Sequence, residues 1–531
     1  MSNGGGTNVA VGDKDAASLR ARAEAMGLRF LEQIPDSCLD PLLIAQVPVE
    51  WARSNGMLPI RLDGEACVAT ADIDRVQPQE DLALLIGEDL ATVAAPHEVI
   101  LRGIERCYFS RDDSPDEFLR GLEGDAVAFS PAALGGNDLL AEAEKAPVTR
   151  LINLILLEAV KRQASDIHFE PFESRLRVRY RVDGNLYEQS SPPKHLEDAL
   201  VSRLKVMGRM DIAERRLPQD GMARVHVGER EIDVRVSTVP VAEGERVVLR
   251  LLDQQAALLP LDSLGMSAAI LDGVEGLLSA PHGMIVVSGP TGAGKTTTLY
   301  AALGQLDASR RNIMTIEDPI EYQLPDIGQI QVKPKIGLTF AQGLRHILRQ
   351  DPDIVLVGET RDRETADIAV RASLTGHLVF TTLHTNDAPG TVSRLVDMGV
   401  EPYLLASCLR GAMAQRLVRR LCPHCRREVT ADASRVRDLG EALAARVVGK
   451  PVWEPVGCDQ CLEGYSGRIG VFELLQVDGA LRDAIRRGSA GLDELRALAM
   501  AAGMRPLVAD TVDRMLAGET SLDEALNVAA A

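Results

Sequence analysis

Nowhere in its 531 residues does the chain have eighteen consecutive apolar residues, so nothing in it reads as a helix that crosses a bilayer. It has no excess of positive charge either. Acidic residues number 77 against 58 basic ones, which gives a net charge of −19, and no long basic patch is set apart from that balance. A strong acidic excess repels phosphate, which argues against a nucleic-acid-binding body. The opening Met1-Ser2-Asn3-Gly4 lacks the basic and apolar regions of a signal peptide, so a cytosolic protein is expected. Cysteine is sparse at eight, and four of these form two CxxC pairs, which in a reducing compartment points to metal before disulfide. What is present, 46% hydrophobic and 25% charged residues, is an ordinary soluble composition. The length calls for about three to four domains.

The stretch that organises the chain is GMIVVSGPTGAGKTT, Gly283 to Thr297. Met284 to Val287 read as a buried strand, and the loop after them matches G-x-x-x-x-G-K-[ST] at Gly289, Gly294, Lys295 and Thr296. In such a P-loop the backbone N–H groups of Gly289, Pro290, Thr291, Gly292, Ala293, Gly294, Lys295, Thr296 and Thr297, proline excepted, surround a phosphate, and the following helix offers its positive end. Lys295 is expected on the β- and γ-phosphates and the Thr296 hydroxyl on Mg²⁺.

Residues 1–17, rich in Gly, Asn, Asp and Ser, read as a disordered leader. Helical and strand patterns alternate over 18–112, as expected of a small α/β module. Trp51 there reads as core more readily than as a partner surface. Residues 113–146 are acidic and Gly/Ala-rich, a flexible linker. From 147 to 258 an amphipathic helix (Val148, Leu151, Ile152, Ile155, Leu156, Ala159) leads into alternating strands, with a hairpin turn at Asp183-Gly184. A second helix, a second hairpin and an edge or crossing strand, ERVVLRLL, complete an α+β domain. Its arginines (Arg177, Arg179, Arg181, Arg235, Arg246, Arg250) sit on one sheet face, either as a solvated surface or as guanidinium donors to a transferring phosphate.

The nucleotide domain, 259–420, adds a strand ending in Glu317 and Asp318, a strand Ile354–Val357 with Glu359 two residues beyond it, and a strand bounded by His377 and His384. Carboxylates at the C-terminal ends of strands in an open parallel sheet face the ligand crevice. Glu317 is placed at the end of the strand next to the P-loop strand, within reach of an attacking water. Cys422, Cys425, Cys458 and Cys461 then form CxxC…CxxC within an element at 421–470, a spacing that suits tetrahedral Zn²⁺, with His424 as a competing ligand. Cys38, Cys67, Cys107 and Cys408 read as small buried hydrophobes. Residues 471–531 read as a helical cap, with Ser521 and Glu524 as a capping box.

At this point the residues resemble a family. TIEDPIEYQ (Thr315 to Gln323) resembles the aspartate box, DIVLVGETRD (Asp353 to Asp362) the atypical Walker B, and LTGHLVFTTLHTNDA (Leu374 to Ala388) the histidine box of secretion ATPases. ASDIHFEP, RVDG, RLPQDG and GERVVLRLL look like that family's second N-terminal domain. The chain is similar to type II secretion system ATPases (E components) and, nearly as closely, to type IV pilus extension ATPases.

The resemblance implies a RecA-like doubly wound ATPase domain behind a PAS-like domain, in a cytoplasmic homohexamer that hydrolyses ATP to drive pseudopilus assembly. It implies Mg²⁺ held through Thr296 and Glu359, Glu317 as base or water-orienting group, Arg235 and Arg250 as arginine fingers, and His384 as a γ-phosphate sensor. Zn²⁺ in the tetracysteine element fits the secretion and extension branches. Met222 departs from the arginine usual after QDG. Implied partners are inner-membrane platform proteins, a bitopic L-type component held by the N-terminal module and a polytopic F-type component, so membrane contact is indirect and no nucleic acid is bound. The rival classes are pilus extension, a RecA-like nucleic-acid translocase and a nucleotide-gated scaffold.

Overall fold

The computed structural model describes residues 10–44, 47, 49–109, 115–116, 119, 147–227, 230–253 and 259–530. In the N-terminal module, strands β1 (Arg29–Phe30), β2 (Met57–Leu62), β3 (Glu65–Thr70) and β4 (Ala91–Ala94) form a sheet in the order β1-β4-β3-β2, with only β2–β3 antiparallel. Trp51 is partly buried and packs against its core. A helix at Ala10–Ala25 begins inside the stretch expected to be a leader. Ala, Leu, Arg and Glu, which fill its second half, are strong helix formers, and Leu19 and Ala23 are buried with Ile73 and Ala94. Most of the expected linker lies outside the described residues, as do residues 1–9 and the Cys107 side chain; Leu119 is buried in the core of the next domain.

That second domain is a six-stranded antiparallel sheet. Its strands are β5 (Asp166–Pro171), β6 (Leu176–Val182), β7 (Asn185–Ser190), β8 (Gln219–Val227), β9 (Arg230–Val241) and β10 (Gly244–Asp253), in the order β7-β6-β5-β10-β9-β8. Period-two alternation sends Ile167, Phe169, Val178, Val234, Val236, Val247 and Leu249 into one core under the helices Pro147–Lys161 and Glu197–Met207. β10 is an interior strand, not the expected edge or crossing strand. Val247 and Leu249 are fully buried, and both of its sides are paired, to β5 and to β9.

The third sheet has seven strands: β11 (Gly283–Ser288), β12 (Ile313–Glu317), β13 (Gly328–Gln331), β14 (Ile354–Val357), β15 (Leu378–Leu383), β16 (Leu409–Leu421) and β19 (Tyr465–Gln476). Met284 and Val286 join one core and Ile285 and Val287 the other, so the sheet is covered on both faces, as an α/β parallel sheet must be. The order is β13-β12-β14-β15-β11-β16-β19, parallel except for the last pair.

This order corrects one expectation. The strand that ends in Glu317 is not next to the P-loop strand; β14 and β15 stand between them. β15 is buried at all six positions and pairs with β11 along its whole length, whereas β12 is the shorter strand and leaves Met314 partly exposed. The strand buried at every position took the central place.

The expected boundaries near 420 and 470 also fall inside a pair of bonded strands, because β16 and β19 pair antiparallel on either side of the cysteine element. That element loops out between them and carries its own small hairpin, β17 (Arg427–Thr430) with β18 (Pro451–Glu454). Four helices follow, Gly479–Arg487, Leu492–Ala501, Leu507–Leu516 and Leu522–Ala530. Only half of the expected capping box forms. Ser521 Oγ accepts from the Glu524 N–H at 3.3 Å, but the Glu524 carboxylate turns to Arg419, accepting from its main-chain N–H at 2.9 Å and from Nε at 3.0 Å.

Candidate nucleotide site and metal centre

The P-loop leaves the fully buried strand β11 and enters the helix Lys295–Gly304 through Gly294, whose φ of 84° is left-handed and open only to glycine at low cost. Lys295 and Thr296 therefore start a helix whose first N–H groups point out of the sheet. Lys295 Nζ donates to the carbonyls of Gly289 at 2.7 Å and Pro290 at 3.0 Å, so the ammonium curls over the mouth of its own loop. Burial lowers its pKa, opposed by the nearby charge of Glu359.

Glu359 carries most of the electrostatics of the mouth. Its Oε1 lies 3.0 Å from His384 Nε2, and its Oε2 lies 2.7 Å from Arg361 Nη2. Burial works against its charge, but Arg361, His384 and Lys295 together hold its carboxyl below the usual carboxylate range. Gly358 before it explains the departure from the usual terminal aspartate. A Cβ there would come 3.2 Å from the Ile316 carbonyl oxygen and 3.3 Å from Glu317 Cα, and the Gly358 N–H donates to that same carbonyl at 2.8 Å. Glycine lets the ends of β12 and β14 close on each other.

Glu317 is placed differently. It is 3% exposed, and donors surround its carboxylate: Tyr300 Oη bonds Oε2, while Thr315 Oγ1 at 2.5 Å and Gln329 Nε2 at 3.1 Å bond Oε1. Tyr300 belongs to the P-loop helix, and its ring meets Tyr322 edge-on at 4.6 Å. Burial first, and then the Glu317 carboxylate, push the Tyr300 phenol pKa well up, so it stays a donor. Neither Tyr300 nor Gln329 was legible as a site residue, because each reads as ordinary helix or strand filling. The signal lay in their position, a polar atom on an otherwise buried face.

On the second domain, Arg250 stands opposite Arg235 in the β10–β9 register, and both line a cavity of about 560 Å³ with Asp220, Met222 and Ser237. Arg250 Nε donates to Asp166 at 2.9 Å. No hydrogen bond or ion pair among the described residues joins either guanidinium to the P-loop, so the two expected arginines face a cavity of their own domain. Beside them Arg177, Arg179 and Arg246 all bond Glu170, at 2.9, 2.6 and 2.7 Å. Arg177 and Arg179 are thus neither free in solvent nor unpaired. The domain touches the ATPase sheet through the β6–β7 turn, where Asp183 Oδ2 accepts from the Gly467 N–H at 3.0 Å and Oδ1 lies 3.5 Å from Arg468.

The four cysteines meet. Cys422, Cys425, Cys458 and Cys461 place their sulfurs within 4.8 Å of one another, with pair distances of 3.9 Å (Cys422–Cys458) and 3.6 Å (Cys425–Cys461). A tetrahedron of thiolates about 2.3 Å from a central zinc has edges of about 3.8 Å. The Gly457 N–H donates to Cys425 Sγ at 3.3 Å, as expected of a knuckle that supports thiolate charge. His424 is not part of the cluster. Cys38, Cys67 and Cys408 are buried singly.

Comparison with known proteins agrees with this anatomy. A family model described as "Type II/IV secretion system protein" matches residues 141–527, and a second, "MshEN domain", matches residues 26–114. The type II secretion system protein HxcR of Pseudomonas aeruginosa is 55% identical over 74% of this chain and 79% of its own length. A type II secretion system protein E of Aeromonas hydrophila is 50% identical over 93% of this chain and 98% of its own length. A type IV pilus assembly ATPase, PilB of Myxococcus xanthus, is 42% identical over 92% of this chain and 87% of its own. The ATPase DotB of Legionella pneumophila, at 20% identity and a TM-score of 0.53 over 72% of this chain and 96% of its own, shares the fold. A P-loop facing a histidine-paired glutamate, carried on a RecA-like sheet and matched over most of its length by secretion proteins, places the chain in the type II/IV secretion system protein family, as one of its ATPases.

Proposed function

We propose that the chain works as a Mg²⁺-dependent homohexamer that couples ATP hydrolysis to pseudopilus assembly in a type II secretion system. On this reading it is held at the inner membrane by platform proteins, a bitopic one through the N-terminal module and a polytopic one through the ring. The observation that carries the chemistry is the Glu359 carboxylate, held ionised between His384, Arg361 and Lys295 at the mouth of the P-loop. Higher identity to secretion E proteins than to the pilus ATPase favours secretion over pilus extension.

Lys295 and the N–H groups of residues 289–297 hold the phosphates. The Thr296 hydroxyl would hold Mg²⁺, which when bound would neutralise the charge of the transferring phosphoryl group. We assign the two glutamates roles other than those expected. Glu317 is 3% exposed and accepts from three donors, so we assign it to fixing the P-loop helix through Tyr300. Glu359 is part-exposed and takes over orientation and deprotonation of the attacking water. His384, bonded to the same carboxylate, senses the γ-phosphate and passes its presence to the strand end. Arg235 and Arg250 supply positive charge when the second domain closes on the nucleotide. The four cysteines hold Zn²⁺, which ties the base of β16 to that of β19.

The test is steady-state ATP turnover of the wild type, Glu359→Gln and Glu317→Gln. Glu359→Gln should lose about 10²- to 10⁴-fold in kcat while keeping its nucleotide affinity. Glu317→Gln should lose less, and through both kcat and KM. Undiminished turnover of Glu359→Gln would overturn the assignment.

A further inference from the structure

A phosphate-binding loop built on Gly289, Gly292 and Gly294 has few side chains with which to hold its own shape, so its frame must come from its neighbours. β16, which pairs with the P-loop strand from Met284 to Ser288, is the nearest of these. One of its residues is out of character. Gln415 is 3% exposed in a run, AMAQRLV, whose other buried members are apolar.

Three contacts explain it. Gln415 Oε1 accepts from Thr298 Oγ1 at 2.8 Å, a hydroxyl in the first turn of the P-loop helix that is itself 2% exposed. Its Nε2 lies where a Cβ on Gly294 would come within 2.9 Å, alongside the residue whose left-handed φ turns the loop into the helix. Its main-chain oxygen lies 2.4 Å from the position of a Cβ on Gly289, at the other end of the loop. A single residue thus lies against both glycines of the motif, where a Cβ would collide with it, and is bonded to the helix that follows them. A valine at 298 and a methionine at 415 would fill the same space without burying two polar groups, and a buried polar pair is worth its desolvation where it fixes a geometry.

We propose that Gln415 is a positioning residue for the nucleotide: through Thr298 and Gly294 it sets the aim of the loop N–H groups and of Lys295 on the phosphates. The inference rests on nucleotide binding at this loop. It requires that Gln415 act on affinity and not on the chemical step, because it touches no reacting atom.

The experiment measures ATP KM and kcat, together with binding of a fluorescent ATP analogue, for full-length Gln415→Met, Thr298→Val, the double variant and Thr298→Ser. Lys295→Ala serves as the control for the loop itself. Gln415→Met keeps the volume and removes both polar atoms. Thr298→Val removes only the hydroxyl. Each should raise KM and the analogue Kd about tenfold with kcat within about twofold, as expected from the loss of one buried hydrogen bond that aims the loop. The double variant should match either single one, since both break the same link, and Thr298→Ser should restore wild-type affinity. KM within about twofold of wild type in Gln415→Met and Thr298→Val would overturn the proposal, as would multiplicative losses in the double variant or a fall in kcat alone. Should Gln415→Met fail to fold, the Thr298→Val and Thr298→Ser pair decides: loss in the first with rescue in the second supports it, and equality of both with wild type overturns it. Wild type that binds the analogue no better than Lys295→Ala would instead overturn nucleotide binding at this loop and leave no role for Gln415 to serve.

Discussion

Arg361 Nη2 and His384 Nε2 approach opposite oxygens of Glu359, at 2.7 Å and 3.0 Å, so one carboxylate at the mouth of the P-loop is clamped between two cationic or polar groups from different strand ends. Burial alone would raise the Glu359 pKa; the clamp and Lys295 reverse that and hold it below the usual value. A base whose pKa is lowered stays ionised further into acid, so the acid limb of the pH–rate profile lies below that of an ordinary glutamate. Arg361→Gln removes the largest of the opposing influences. The Glu359 pKa then rises and the acid limb moves to higher pH, which a kcat profile from pH 4 to 8 reads directly. An unmoved limb would show that another group controls it.

Tyr300→Phe tests the second carboxylate. The substitution keeps the ring against Tyr322 but removes the hydroxyl that bonds Glu317 Oε2, leaving a buried charge short of one donor. The expected cost is about 1–3 kcal/mol of stability, measured by urea unfolding, and a matching loss of nucleotide affinity as the P-loop helix loosens. Stability equal to wild type would mean that water replaces the hydroxyl.

How much of this was legible follows from where the information lies. The P-loop, both glutamates and His384 are legible because each motif packs its chemistry into about a dozen residues, and the four cysteines because each CxxC pair is itself a short signal. Strand order does not, and the misplacement of β12 beside β11 arose there: consecutive βα units do not say which strand returns to the centre, and LVFTTL, with two threonines, does not stand out from IMTIE by a continuous apolar run. β19 was likewise invisible as the seventh strand, since its partner β16 lies across the whole cysteine element. Partners of the motif residues were hidden for the same reason. Gln415 and Tyr300 meet Thr298 and Glu317 only after the sheet is assembled. Helical spacing was legible from Leu19 on, but the first half of the helix at Ala10–Ala25 was not, because residues 1–17 are rich in Gly, Asn, Asp and Ser.

Glu170 provides a test of the second domain that leaves the P-loop alone. Its side chain is 6% exposed and bonds Arg177, Arg179 and Arg246, whose side chains are 26%, 24% and 39% exposed. Burial raises its pKa, the arginines outweigh burial, and the net direction is down. A carboxyl depressed in the folded state contributes stability that is present above its unfolded pKa of about 4.3 and is lost as pH falls through the folded value. Glu170→Gln therefore destabilises at pH 7 by about 1–3 kcal/mol, discounted for the partial exposure of the arginines. The difference from wild type should shrink below pH 4. A gap that persists there in thermal unfolding would assign the loss to packing.

Zinc is the last test, and its geometry makes the outcome specific. Four sulfurs at tetrahedral spacing, none of them paired as a disulfide, match the geometry of a Cys₄ zinc site. Elemental analysis should find one zinc per chain in the wild type and less than half of that in Cys458→Ser, which removes the most exposed ligand. The cysteine element hangs between β16 and β19, and these carry Arg416 and Gln415 on one side and the Asp183 contact at Gly467 on the other. Loss of the metal frees both strand ends at once, so the melting temperature should fall by several degrees, about 2–4 °C per kcal/mol for a domain of this size. Equal zinc content and melting temperature in the variant would show that the four thiols are a structural cluster without a metal.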